Sequence, residues 1–188
     1  MTQSQDFDLV DIHSINPRIL IDLRYATPNN FIGRPVYNCA RCFLRRKVAL
    51  KLDLIQKKLE KIGLGLKLWD GYRPLSVQKL FWNILPDERY VASPTIGSRH
   101  NRGAAVDLTL VDKEGRELRM PTDFDEFSLR AHRDYERLPK EVIYNRLLLE
   151  NIMSEHGFIP LPTEWWHFDD IEGEKYPIED RPLEDLEK

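Results

Sequence analysis

Residues 98–110, SRHNRGAAVDLTL, form the stretch around which the rest of this chain is organised. After Gly103 the side chains alternate, which predicts a β-strand with two different faces: Val106, Leu108 and Leu110 on one, and Ala105, Asp107 and Thr109 on the other. Asp107 would place a carboxylate inside an apolar strand, and burying a lone carboxylate is costly. A metal ion or an arginine could compensate for that cost, so the strand predicts a cationic partner for Asp107.

The segments before this strand mix strand and helix periodicity. Alternating apolar residues predict strands over 19–25 and 64–69, and apolar residues spaced by three and four predict helices over 48–62 and 77–84. Gly63 follows the first helix, where a glycine commonly ends one. The first half of the chain therefore supplies strands and helices in alternation.

The segments after this strand continue the mixture. A turn at 112–115 leads to a strand over 116–120, a helix is predicted over 139–156, and strand-like pieces follow at 158–159 and 165–168. Together the elements predict an α+β fold with a central, mostly antiparallel sheet flanked by helices. Because strands and helices alternate, a parallel α/β sheet stays open as an alternative.

The composition predicts one domain over residues 1–188, which is long enough to bury a core without disulfide or metal. Residues 169–188 carry nine acidic and three basic residues and are predicted to be a solvated surface tail. The net charge of −3 is evidence against a nucleic-acid partner, and no apolar run approaches the ~18 residues of a membrane span. The N-terminus lacks a secretory pattern, which favours a cytoplasmic protein, or a periplasmic one if the sequence has been trimmed. The oligomeric state cannot be predicted.

The two cysteines form the motif Cys39-Ala40-Arg41-Cys42. A C-x-x-C motif can be redox-active or can supply half of a zinc site. A structural zinc site would need a second pair of ligands of this kind, and the chain has no further cysteine. We therefore expect buried or half-buried thiols without a catalytic role.

Two short runs contain the residues of a possible metal site. Catalytic zinc sites use three protein ligands, and His100, Asp107 and His167 meet that number. A lone histidine or strand aspartate is more often structural, and this is the interpretation for the remaining histidines: His13, His132 and His156. Spacing alone therefore leaves open whether the first three residues bind a metal.

Glu164 and Arg73 are the candidate catalytic groups. Glu164 precedes His167 by three residues, a spacing that places both on one side of a turn but on opposite faces of a strand. An irregular segment there, favoured by Pro160 and Pro162, would let Glu164 act as a general base. Arg73 follows a predicted strand end, where its guanidinium could stabilise an oxyanion.

The motif S-x-H-x-x-G-x-A-x-D at 98–107, followed by E-x-x-H at 164–167, resembles the signature of the zinc D-alanyl-D-alanine peptidases. Two more blocks, DLRYAT at 22–27 and WDGYRP at 69–74, resemble the D-alanyl-D-alanine dipeptidases of the vancomycin-resistance type. The likeness runs in order from about residue 19 to residue 168. It implies the fold of the D-Ala-D-Ala metallopeptidases and one zinc ion per chain.

The resemblance also implies roles for particular residues: zinc ligation by His100, Asp107 and His167, proton transfer by Glu164, transition-state stabilisation by Arg73, and binding of the substrate ammonium by Asp125, Ser98 and Tyr25. The loop that carries Asp125 departs from the family, because Pro121 follows Met120 where a glycine is expected. The Cys39 and Cys42 pair matches no catalytic feature of the family.

The implied reaction is hydrolysis of free D-alanyl-D-alanine, with the small dipeptide as the binding partner. An ammonium pocket would favour a free dipeptide over a chain with a blocked amine. One alternative is a carboxypeptidase or cell-wall endopeptidase of the same superfamily. A second alternative is a non-catalytic zinc-binding module, although such a module would need neither Glu164 nor Arg73.

Overall fold

The structure, a computed structural model, describes residues 6–186. Its strands are β1 (Leu9–Asp11), β2 (Leu20–Ile21), β3 (Phe43–Arg45), β4 (Leu64–Asp70), β5 (Ala105–Asp112), β6 (Phe158–Pro160) and β7 (His167–Asp170). Its α-helices are α1 (Ile12–Ile15), α2 (Arg46–Glu60), α3 (Leu75–Ile84) and α4 (Lys140–Glu155). The assignment of residues 1–188 to one domain stays a prediction, since residues 1–5 and 187–188 lie outside the described part.

Five strands form the central sheet in the order β2-β4-β5-β7-β6. Only the pairing of β2 with β4 is parallel, and the three other pairings are antiparallel. Strands β1 and β3 form a separate antiparallel pair. The predicted α+β fold with a mostly antiparallel sheet is confirmed, and the parallel alternative is wrong beyond the edge strand β2.

Helix α2 covers one face of β4, as its apolar spacing requires. The side chains of its inner row are fully buried: Val48, Leu52, Ile55 and Leu59. Full burial of a side chain of this size contributes about 1.5–3 kcal/mol. Gly63 has a φ of 73° and ends the helical segment, so Ile62 projects into solvent instead of joining the predicted row.

Two predicted strands are shorter than expected. The strand at 19–25 pairs only at β2, because the chain turns into a 3-10 helix at Arg24–Ala26 and carries Tyr25 into the interior. The strand at 116–120 is reduced to one bridge, between Val111 and Glu117. Its turn is formed as predicted, with the Gly115 N–H bonded to the Asp112 carbonyl.

The acidic segment after β7 is not the solvated tail that its composition predicts. Tyr176 and Leu183 are buried in the core, and the Tyr72 hydroxyl donates to the Arg181 carbonyl. The acidic side chains pair with cations of earlier elements, as in the ion pair of Arg45 with Glu179. Two apolar anchors and these ion pairs therefore fix a segment whose average composition is strongly polar.

The two cysteines are buried thiols, as predicted. Burial raises the pKa of the Cys42 thiol well above its usual range, which disfavours the reactive thiolate. No helix within residues 6–186 is long and apolar enough to cross a membrane.

Candidate active site

Three adjacent strands place three polar residues in one row across the sheet. Asp70 at the end of β4 lies opposite Asp107 of β5, and Asp107 lies opposite His167 at the start of β7. Residues directly opposite each other in antiparallel strands project to the same face. The register therefore collects two carboxylates and an imidazole from positions up to 97 residues apart, His167 and Asp70 being the extremes.

His100 reaches this row from a short 3-10 helix, Arg99–Arg102, that precedes β5. The Ser98 hydroxyl oxygen caps the helix by accepting from the His100 N–H at 3.1 Å, and Gly103 ends it with a φ of 67°. The His100 Nδ1–H donates to the Gly71 carbonyl at 2.7 Å. That bond turns Nε2 toward Asp107.

His100, Asp107 and His167 could hold a metal ion. His100 Nε2 lies 3.2 Å from His167 Nδ1 and 3.3 Å from Asp107 Oδ2, and His167 Nδ1 lies 3.0 Å from Asp107 Oδ1. Ligand atoms at ~2.0–2.1 Å from a tetrahedral zinc ion are themselves about 3.3 Å apart. The spacing and the donor set of two imidazole nitrogens and one carboxylate therefore fit zinc.

Burial and neighbouring charges act in opposite directions on the ionisable groups of this site. Burial would raise the pKa of Asp107, but His100 and His167 outweigh it and hold that pKa well below its usual value. Burial would lower the pKa of His167, but Asp169 and Asp107 outweigh it and raise that pKa. The carboxylate form of Asp107, which a metal ligand requires, is thus favoured at neutral pH.

Glu164 lies in a turn beside the same group, so the irregular segment predicted at this point is confirmed. The His167 N–H donates to the Glu164 carbonyl, which places both side chains on one side of the chain. The Glu164 side chain is buried, and its Oε1 atom has no hydrogen-bond partner among the described residues. Burial raises the pKa of Glu164 to about 8.

Arg73 is held by side chains on two sides of its guanidinium. Its Nε and Nη2 atoms donate to Asp70 Oδ2 at 3.0 and 2.7 Å, and Nη1 donates to Gln78 Oε1 at 2.9 Å. Nη2 lies 3.8 Å from Asp107 Oδ2, and the guanidinium packs on the ring of Phe81. A cation fixed this firmly can face developing negative charge without reorganising.

Asp125 and Tyr25 also line the site. The Tyr25 hydroxyl donates to Asp125 Oδ1 at 3.1 Å, and the Phe31 N–H donates to Asp125 Oδ2 at 3.3 Å. Asp125 has a φ of 60°, a strained conformation that is concentrated at functional sites. Burial raises the pKa of Asp125 to about 7.

All eight residues singled out from the sequence line one cavity of about 210 Å³: Tyr25, Arg73, Ser98, His100, Asp107, Asp125, Glu164 and His167. The structure brings them together, whereas their individual roles stay predictions. Small-molecule sites commonly have volumes of ~300–1,000 Å³, so this cavity suits a small ligand.

Three further residues contact this group and were missed in the sequence: Asp70, Gln78 and Asp169. Asp70 stands in the WDGYRP block, and Asp169 follows His167 by two residues, a spacing that shares a strand face. Asp70 and Asp169 could therefore have been identified from the sequence. Gln78 gives no such signal, because its contact with Arg73 depends on how α3 packs.

Asp70 anchors Arg73, and its replacement by asparagine is expected to destabilise the protein by about 3 kcal/mol. Breaking a buried ion pair leaves an uncompensated charge, which typically costs ~3–5 kcal/mol. Denaturant unfolding would measure the change. The control is Tyr37→Phe, which removes the Tyr37 hydroxyl bond to Asp70 and leaves the charge pair intact. An equal loss of unfolding free energy in both variants would mean that the ion pair contributes no stability beyond that of one hydrogen bond.

Comparisons with known proteins show which family this chain is similar to. The sequence model of the D-ala-D-ala dipeptidase family matches residues 5–184. This chain belongs to that family. It is 39% identical to the D-alanyl-D-alanine dipeptidase of Escherichia coli strain K12 over 175 residues, which cover 93% of this chain and 91% of the relative.

A second curated relative is also similar over most of its length, and a solved structure shows a more distant likeness. The D-alanyl-D-alanine dipeptidase of Enterococcus faecalis strain V583 is 36% identical over 180 residues, covering 83% of this chain and 87% of the relative. A solved structure of VanYB in complex with D-Alanine-D-Alanine superposes with a TM-score of 0.48 at 16% identity, covering 71% of this chain and 75% of that one. Membership of the dipeptidase family makes this chain a metallopeptidase.

Proposed function

We propose that this protein is a zinc-dependent dipeptidase that hydrolyses free D-alanyl-D-alanine to two molecules of D-alanine, with one zinc ion per chain. One observation supports the proposal most directly. A candidate metal triad, a buried carboxylate with one oxygen that no described residue hydrogen-bonds, a fixed guanidinium and a half-buried second carboxylate all line the same small cavity. The names of the relatives at 36–39% identity describe the same activity.

His100, Asp107 and His167 would hold the zinc ion. When bound, zinc supplies Lewis-acid chemistry that polarises the amide carbonyl and lowers the pKa of a water molecule. Glu164 accepts a proton from the attacking water as the carbon–oxygen bond forms. Glu164 then donates that proton to the nitrogen of the leaving D-alanine as the carbon–nitrogen bond breaks, so its carboxylate is regenerated.

Arg73 stabilises the oxyanion that develops on the attacked carbonyl. Its bonds to Asp70 and Gln78 hold the guanidinium in place before the reaction, so no reorganisation is needed as charge appears. One fixed donor of this kind commonly contributes ~3–4 kcal/mol to transition-state stabilisation.

Asp125 binds the free ammonium of the dipeptide, together with Tyr25 and with Ser98, which lines the same cavity. The half-buried Asp125 carboxylate accepts two hydrogen bonds and contacts no cation among the described residues, and burial raises its pKa. A substrate ammonium would supply the missing positive charge. An N-acylated substrate would bury the carboxylate without that partner.

The decisive experiment compares free D-Ala-D-Ala with N-acetyl-D-Ala-D-Ala on zinc-loaded protein. We expect kcat/KM to be about 10⁴-fold lower for the acetylated substrate, since a site that leaves a buried polar group unpaired rejects near analogues by about this factor. Released D-alanine is the measurement. Asp125→Asn is expected to reduce the difference in kcat/KM between the two substrates, because it weakens binding of the free dipeptide.

Comparable rates on both substrates would instead support a carboxypeptidase or endopeptidase. A zinc-loaded protein that is inert toward both would support the non-catalytic module, against which family membership and the placement of Glu164 and Arg73 already count. Cytoplasmic location and the lack of nucleic-acid and membrane partners stay predictions.

A further inference from the structure

His167 has a second hydrogen-bond partner outside the predicted metal site. Its Nε2 atom donates to Asp169 Oδ1 at 2.9 Å, while its Nδ1 atom lies beside Asp107 and His100. His167 and Asp169 are two residues apart on β7, so their side chains share one face of the sheet. The pairing is therefore built into the strand.

Asp169 is held firmly by its neighbours. It lies opposite Ala105 of β5 and Ile159 of β6, so its backbone is paired on both sides. Ala105, directly opposite Asp169, presents only a methyl group on the shared face. Asp169 lines the rim of the cavity, and its side chain is about a quarter exposed, at 26%.

The two histidines present different nitrogens to the centre of the site. His100 donates from Nδ1 to the Gly71 carbonyl and presents Nε2, whereas His167 donates from Nε2 to Asp169 and presents Nδ1. Both ring nitrogens of His167 face a carboxylate, Asp107 at Nδ1 and Asp169 at Nε2. If Asp107 and Nδ1 are both metal ligands, Asp169 is the one of these two carboxylates that can accept the ring proton, which then sits on Nε2. Each ring is thus oriented by a separate acceptor.

We propose that Asp169 is a positioning residue for the metal. It holds the proton of His167 on Nε2 and so leaves the Nδ1 lone pair directed at the site that His100 and Asp107 share. The inference rests on the proposed function, because it assumes that these residues bind zinc. Outer partners of this kind typically account for ~10–100-fold in metal affinity.

The test is the zinc dissociation constant of Asp169→Ala and Asp169→Asn, measured by competition with a chromophoric chelator. We expect Asp169→Ala to weaken binding by about 10–100-fold. Asp169→Asn should restore affinity to within about threefold of the parent, because an amide oxygen accepts the same bond from Nε2–H. In Co²⁺-substituted protein the visible bands should shift in the alanine variant and hold their positions in the asparagine variant.

The matched control is Asp170→Ala. Asp170 is the next residue of β7, is buried on the opposite face and pairs with Lys51 at 2.5 Å. Its loss removes a carboxylate from the same strand and should lower stability without changing zinc affinity.

Unchanged affinity in Asp169→Ala would overturn the inference. Equal losses in the alanine and asparagine variants would also overturn it, since they would point to the charge or to direct ligation by Asp169. These readouts do not depend on turnover. A parent protein that binds zinc but cleaves no dipeptide would refute the proposed function while the role of Asp169 is still decided.

Discussion

Replacement of Glu164 by glutamine is expected to lower kcat on D-Ala-D-Ala by about 10³-fold while the protein keeps one zinc ion. Glutamine preserves the shape of the side chain but cannot accept a proton, and positioned general bases typically contribute ~10²–10⁴-fold. Steady-state kinetics and metal analysis of the same preparation provide both measurements. The placement of Glu164 beside the metal triad, with one buried oxygen unpaired, is the structural basis.

The control for this variant is Glu60→Gln. Glu60 pairs with Arg18 on the protein surface and does not line the cavity, so its replacement should change neither kcat nor zinc content. Loss of zinc from Glu164→Gln would show that Glu164 is a ligand instead of the base. Near-normal turnover with full zinc content would remove Glu164 from the mechanism.

Glu164→Gln also has a second readout, in the metal-free protein. Burial raises the pKa of native Glu164 from 4.5 to about 8, so between these values the unfolded chain has lost a proton that the native state keeps. Rising pH then favours unfolding by up to about 1.4 kcal/mol per pH unit. The difference in free energy of unfolding, Glu164→Gln minus parent, should therefore increase as pH rises from ~4.5 to ~8. Outside that window the difference should be constant.

Replacement of His167 by alanine is expected to abolish both tight zinc binding and turnover. His167 supplies one of the three candidate ligands that the described residues bring together. Its loss should therefore weaken zinc binding by more than the ~10–100-fold that is typical when a residue bonded to a ligand is removed. Asp107 would also lose a hydrogen-bond partner in the buried site. Competition with a chelator measures the affinity, and released D-alanine measures turnover.

His13→Ala is the matched control for the loss of a histidine. His13 bonds to the Ile19 carbonyl outside the cavity, as its structural interpretation predicts, and its replacement should leave zinc content and kcat unchanged. A His167→Ala protein with parental zinc affinity would contradict the ligand assignment and the role of Asp169 together.

Much of this protein follows from local sequence pattern. Helix α2 and strand β5 were predictable because their apolar residues repeat with the period of a single element, which depends only on residues a few positions apart. The convergence of His100, Asp107 and His167 was predictable for a different reason. Those residues stand in a motif specific enough to identify the family, whereas spacing alone left their role open.

Other features were decided only by tertiary structure. The row of Asp70, Asp107 and His167 depends on the register of three strands, which no single segment encodes. The segment at 116–120 has strand-like residues yet pairs at one position, and the acidic segment after β7 packs inward through Tyr176 and Leu183. The row and the inward packing of the acidic segment depend on partners distant in sequence, whereas the segment at 116–120 bridges only to Val111, a near neighbour in the chain. Local pattern therefore determined which elements and which chemistry this chain contains, and long-range pairing determined how they meet.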